Sequence, residues 1–254
     1  MTAPLLVTGG TGTIGSCVVP MLREAGRDVR IFTRHARPAQ PGIEQVEGDT
    51  VTGRGLAEAL VGVDVVLHLA GGAKGDDIAA RKLAAAARNG TDVRHLILIS
   101  VVGADQMPIG YFRAKARAER AFAESGLPYT VLRAAQLHEF VLPIIRGMAR
   151  LPLLPVPGGL RFEPVHVDEV AARLTELALG EPVGRVPDIA GPEVLDIQQL
   201  ETDYRDAKDA RRRRGVPIRL PSAVGRAYRA GANLAHDPVL RGERTWREFL
   251  AQSR

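Results

Sequence analysis

The segment Thr8-Gly9-Gly10-Thr11-Gly12-Thr13-Ile14-Gly15 constrains this chain more than any other, because it joins the apolar run 5–8 to a helical pattern. Glycine at 9 and 12 permits a tight turn and a close approach of backbone to ligand, and Gly15 lets the helix pack near the strand. The N-terminus of such a helix offers free N–H groups and a positive dipole end. That suits a pyrophosphate, so Gly9, Thr11, Gly12, Thr13, Ile14 and Gly15 read as a dinucleotide cradle.

From there, apolar runs at 29–33, 43–46, 63–69, 95–100 and 129–132 alternate with helical patterns at 13–25, 56–61, 76–88 and 112–125. Gly26, Gly90 and Gly126 stand where helix C-caps are expected. Several strands are apolar almost throughout, which implies burial on both faces. The expected fold is α/β, a Rossmann-type doubly wound parallel sheet with right-handed crossovers. Residues 1–135 form its NAD(P)-binding core. Residues 136–254, where the pattern loosens to one strand at 185–189 and helices at 196–209, 222–233 and 245–252, form a substrate-covering region integrated with that core as a single structural unit.

No basic-then-apolar leader opens the sequence, and the apolar stretches are strand-sized or broken by proline, so the expected location is cytoplasmic, without a membrane partner. The single cysteine, Cys17, excludes an intrachain disulfide and reads as a small buried residue. The six histidines have no metal-site spacing, so no metal is expected. The run Arg211 to Arg214 lacks interleaved aromatics and reads as a solvated helix end or loop, not a nucleic-acid patch. The expected partner is a small-molecule substrate, the chain being a monomer or homodimer.

The second strand ends in Thr33-Arg34-His35-Ala36-Arg37, with no acidic residue to take ribose hydroxyls. Arg34, supported by Arg37, points to the 2′-phosphate of NADP(H), preferred over NAD(H). Tyr111 and Lys115 stand four apart at the start of a helix, the spacing of one helical face. There an ammonium can lower the phenol pKa, and the tyrosine can protonate a carbonyl as hydride arrives.

Together with Gly48-Asp49, His68-Leu69-Ala70-Gly71-Gly72, ISVVGAD at 99–105, YFRAKARAER at 111–120, SGLPYTVLRAAQLHEF at 125–140 and FEPVHVDEVA at 162–171, the sequence resembles an atypical, NmrA-like short-chain dehydrogenase/reductase. The resemblance implies that Tyr111 and Lys115 match the catalytic tyrosine and lysine, and that Asp49 and Thr50 flank the adenine. It further implies that Ala70, Gly71 and Gly72 line the adenosine side, and that Ala134, Ala135 and Gln136 approach the nicotinamide. Many relatives carry a serine just beyond the fifth strand. Here those positions are Val101 and Val102, leaving Ser100 as the substitute.

Gln136, His138 and Phe140 follow the sixth strand and are candidate substrate contacts; His68 and His95 read as core histidines. His166 is a candidate pocket residue, and Asp168 reads as the N-cap of a helix from Glu169. The function expected is an NADPH-dependent oxidoreductase reducing a carbonyl or quinone-like molecule, with Tyr111 as proton donor and Lys115 on the nicotinamide ribose. The rival is a non-catalytic NAD(P)(H) sensor, and non-redox chemistry with a retained cofactor is a third reading.

Overall fold

A computed structural model describes residues 3–35, 41–72, 75–89 and 91–252. In chain order the elements are β1 Leu5–Thr8, α1 Gly15–Glu24, β2 Val29–Thr33, β3 Ile43–Glu47, α2 Leu56–Ala59, β4 Val65–His68, α3 Asp76–Arg88, β5 His95–Val101, α4 Gly110–Ala123, β6 Tyr129–Ala134 and α5 His138–Ala149. There follow β7 Leu154–Pro157, β8 Arg161–Phe162, α6 Val167–Leu179, β9 Gly184–Arg185, β10 Asp188–Ala190, β11 Leu195–Asp196, α7 Ile197–Asp206, β12 Gly215–Ile218, α8 Ala223–Arg229, β13 Val239–Arg241 and α9 Trp246–Gln252. None of these helices is long and apolar enough to cross a membrane.

The chain forms two compact units. The first takes residues 1–100, 113–132 and 170–186, the second 101–112, 133–169 and 187–254. In the first, the strand order is β3-β2-β1-β4-β5-β6, with β9 on β6. Every residue of β1, β4 and β5 is buried, as their continuous apolar character requires of strands covered on both faces. β3 stands at the edge and buries only Val46 fully. The chain runs from β1 to β2 and β3 on one side, then returns to β4 on the other. Strand order therefore reverses between β1 and β4, where open α/β sheets bind ligands. One apolar core, including Leu6, Leu83, Leu98 and Phe122, packs α2, α3 and α4 on this sheet.

The second unit has a core of its own, in which Leu142 and Ile145 of α5, Leu200 of α7 and Trp246 of α9 meet. Within it the end of β6 pairs with β10 at Ala134, β10 pairs with β13, β7 with β12 and β8 with β11. Asp196 caps α7 through a capping box with Gln199.

Several boundaries differ from expectation. α1 starts at Gly15 rather than 13, because residues 9–14 are spent on the turn. The strand expected at 185–189 is two, β9 and β10, interrupted at Val186-Pro187, since proline has no N–H for a ladder. The loosely patterned region holds a twelve-residue helix, α5, despite Pro143 inside it. Asp168 is not an N-cap. α6 already begins at Val167, and the Asp168 N–H donates to His166 Nδ1 at 3.2 Å. Gly26 and Gly126 have the positive φ expected beyond helix ends, and Gly90 lies outside the described residues. Cys17 is only half-buried. The arginine run is less solvated than expected, because Arg213 pairs with the buried Glu201 at 2.8 Å.

Candidate active site

The glycine loop sits at the β1–β4 reversal. Gly9 has φ +73°, and a Cβ there would stand 2.6 Å from the Ala70 nitrogen, so the loop after β1 rests on the loop after β4. A Cβ on Gly15 would overlap the Gly9 carbonyl and Gly10. This glycine is therefore demanded by the turn itself, not by helix–strand packing as the sequence suggests. Gly12 differs: its Cβ would meet nothing within 4 Å except Gly9 O at 3.3 Å, so the space beside it is open. Among the described residues nothing accepts the N–H of Thr11, Thr13 or Ile14. The first turn of α1 has no acid and no side-chain cap. Free donors, a dipole end and open space over Gly12 fit an anionic diphosphate.

Thr8 Oγ1 and His68 Nδ1 are 2.6 Å apart, and the Ala70 N–H donates to the same hydroxyl at 3.3 Å, fixing both loops at their roots. Burial, then the charge of Lys115, pushes the His68 pKa down to about 3, so this ring is neutral and structural. His95 is likewise a core residue, 2.8 Å from Thr130 Oγ1. Beyond β4, the Gly72 N–H donates to Asp76 Oδ1 at 2.8 Å, while Asp76 Oδ2 lies 3.0 Å from Lys115 Nζ. Both side chains are almost wholly enclosed, at 5% and 6% exposure. Lys115 also donates to the Ile99 carbonyl at 3.4 Å. Asp76 escaped the sequence reading because an acid in the first turn of a helix ordinarily means only dipole compensation.

Tyr111 stands four residues before Lys115 in α4, with 37% of its surface exposed and its ring edge-on to Phe112. Ser100 is buried, and its hydroxyl donates to the Glu119 carboxylate, so its hydrogen is already committed. Val101 and Val102 are buried apolar residues.

Arg34 is exposed immediately beyond β2, and Arg37 lies outside the described residues. Asp49 Oδ1 accepts the N–H groups of Val51 at 2.6 Å and Thr52 at 3.0 Å. The Thr52 N–H, and in smaller part the charge of Arg34, holds this carboxyl below its ordinary range. Thr50 beside it is half-buried.

In the second unit Ala134 and Ala135 are buried, bonded through backbone to Val102 and Ile189. Gln136 is half-buried and Phe140 is 60% exposed. His138 has no exposed surface; its ring stacks on Phe249 at 4.9 Å and stands 5.9 Å from that of His166. Burial, then His166, lowers its pKa to about 4, against a raising contribution from the Pro164 carbonyl. His166 is buried against Arg244, whose guanidinium also reaches Asp168 at 3.0 Å. Burial raises the pKa of Glu139, a residue that sequence patterning did not single out.

The model of the NAD(P)H-binding family matches residues 9–142. A (4-alkanoyl-5-oxo-2,5-dihydrofuran-3-yl)methyl phosphate reductase of Streptomyces griseus is 36% identical over 204 residues, covering 77% of this chain and 70% of that reductase. A 3-beta-hydroxysteroid dehydrogenase of Mycolicibacterium neoaurum is 41% identical over 68 residues. That match spans 26% of this chain and only 19% of the dehydrogenase. The structure of an NADPH-dependent quinone oxidoreductase from Escherichia coli is similar with a TM-score of 0.78 at 18% identity, covering 98% of this chain and 99% of the other. This last likeness is one of fold.

Proposed function

The chain belongs to the NAD(P)H-binding family and is an NAD(P)H-dependent oxidoreductase; from that premise we propose that it uses NADPH to reduce a carbonyl or quinone-like small molecule. The observation that carries the reading is Lys115, an ammonium enclosed against the loop beyond β4 and four residues after Tyr111 in one helix. A nicotinamide dinucleotide, when bound, supplies the hydride. The chain supplies the rest. The N–H groups of Thr11, Thr13 and Ile14 and the start of α1 hold the diphosphate, Arg34 takes the 2′-phosphate, and Lys115 holds the nicotinamide ribose. Tyr111 gives its phenolic proton to the substrate oxygen as carbon accepts hydride, and is reprotonated from solvent. Ser100 has no part in this scheme, because its hydroxyl already serves Glu119.

That committed serine, with apolar Val101 and Val102 beside it in sequence, favours a second reading, a dinucleotide sensor without turnover. NADPH oxidation against quinones, ketones and aldehydes separates the two. On the substrate found, Tyr111→Phe should keep NADPH affinity and folding while the rate falls by roughly 10²- to 10⁴-fold. A Tyr111→Phe protein with the wild-type rate would remove the tyrosine from the scheme, and no oxidation of any acceptor would leave the sensor.

A further inference from the structure

We propose that Asp76 is the positioning residue of the nicotinamide site: its carboxylate fixes the Lys115 ammonium against the Gly71-Gly72 loop and aims one N–H of that ammonium at the cofactor. The proposal rests on the reading of Lys115 as the ribose-holding residue.

Asp76 does not behave as an ordinary first-turn acid. Its neighbour Asp77 already supplies negative charge at the start of α3, where it pairs with Arg117 at 2.9 Å and with Arg81. Asp76 instead turns inward, is 4% exposed, and caps nothing in its own helix, since the cap position is Gly75 with φ +89°. Its two oxygens go to different elements, one to the Gly72 N–H and the other to Lys115 on α4. A buried ion pair of this kind is weak as a source of stability, because desolvating both charges offsets most of their attraction. Its value is in direction.

An ammonium has three N–H donors. Among the described residues, Lys115 gives one to the Ile99 carbonyl, while Asp76 Oδ2 stands 3.0 Å from Nζ as an ion-pair partner that accepts no hydrogen bond, so the chain does not use up the donors of this ammonium. A Cβ built on Gly71 would stand only 3.1 Å from Nζ and 3.5 Å from Asp76 Oδ2, so the absence of a side chain there keeps the face of the pair clear. The Ile99 carbonyl and the Asp76 carboxylate thus hold Nζ beside Gly71, in the same loop that rests on Gly9 of the glycine turn.

The test is a double-mutant cycle on NADPH affinity, read by the fluorescence of bound NADPH, with thermal unfolding measured in parallel. Asp76→Asn should raise the Kd about tenfold, and in the Lys115→Met background the same substitution should change it by less than about twofold, because Asp76 then has nothing to position. Equal effects in both backgrounds, or a folded Asp76→Asn protein with wild-type Kd, would overturn the proposal. Asp76→Asn leaves an ammonium unpaired and can fail to fold. Asp76→Glu then replaces it: the charge is retained but the carboxylate is displaced by a methylene, and the Kd must still rise, wild-type affinity counting against the proposal. Wild-type protein that binds no NADPH at all would instead refute the cofactor reading itself.

Discussion

Asp76 and Glu201 are both almost completely buried carboxylates facing basic side chains, yet their surroundings differ in one respect. Around Glu201, in the second unit, Arg205 and Arg213 converge. Their other N–H groups go to the carbonyls of Ala149, Met148, Leu151 and Arg211, closing the ends of α5 and the segment before β12. Each of the six guanidinium nitrogens there has an acceptor in the chain, and the N–H groups left over belong to side chains 18% and 19% exposed. Around Asp76, in the first unit, a single ammonium only 6% exposed keeps donors that the chain does not use. Each network leaves one carboxylate oxygen without a hydrogen bond, so the two are told apart by the enclosed cationic donor beside Asp76 and not by burial of the acid.

A distinction between closed and open surroundings also separates two glycines three residues apart, Gly12 in the turn and Gly15 at the start of α1, and it carries the largest expected effect. Gly15 is closed in by the Gly9 carbonyl, whereas Gly12 faces open space. Gly15→Val should therefore prevent the turn from forming and lower the melting temperature severely. Gly12→Val should fold with a melting temperature near wild type while losing NADPH binding, because the added methyls occupy the approach to the diphosphate. Calorimetric titration beside thermal unfolding checks both. A Gly12→Val protein that binds normally would break the division between closed and open positions.

Glu201→Ala sharpens it from the other side. Removing a buried carboxylate and stranding two arginines typically costs about 3–5 kcal/mol. Because Arg205 and Arg213 keep 18% and 19% of their side-chain surface exposed and can partly resolvate, the lower part of that range is expected. Denaturant unfolding should show this loss while the NADPH Kd of the folded protein stays unchanged. A comparable loss of affinity would mean that the closed network is not purely structural.

Much of the first unit was legible in the sequence. β1, β2 and α3 coincide with their expected bounds because continuous apolar runs and helical periodicity both mark segments buried by one dominant packing interaction. The short strands β7, β8, β11, β12 and β13 were not, since they mix their few apolar residues with proline, glycine or charge and owe their form to partners distant in sequence. The glycine loop was readable as a motif, but the different reasons for Gly12 and Gly15 required the positions of the surrounding atoms. Asp76 and Glu119 were unreadable for a related reason: an acid on a helix looks solvated until the partner on another element is known. Ser100 shows the converse, a residue type with a catalytic precedent whose hydroxyl the fold has already engaged.

Arg34 lies between the closed and open cases, and its effect should be the smallest. It is exposed beyond β2 with no acidic residue following it in the strand end, so its guanidinium is available to a 2′-phosphate. Its field nevertheless already acts on Asp49, whose carboxyl is held mainly by the Thr52 N–H. A charge-assisted bond to phosphate contributes about 1.5–3 kcal/mol, or one to two decades in affinity, and exposure places this one toward the lower end. Arg34→Ala should accordingly weaken NADPH by about tenfold and leave NADH unaffected. Because the contact is exposed, the difference should shrink as ionic strength rises from 0.05 M to about 0.5 M, whereas an enclosed contact such as that of Lys115 should respond much less. Titrating both cofactors against both proteins at the two salt concentrations measures all of this at once. Equal NADPH and NADH affinities in the wild type would remove the 2′-phosphate role, and a salt-independent preference for NADPH would assign it to a buried group instead of Arg34.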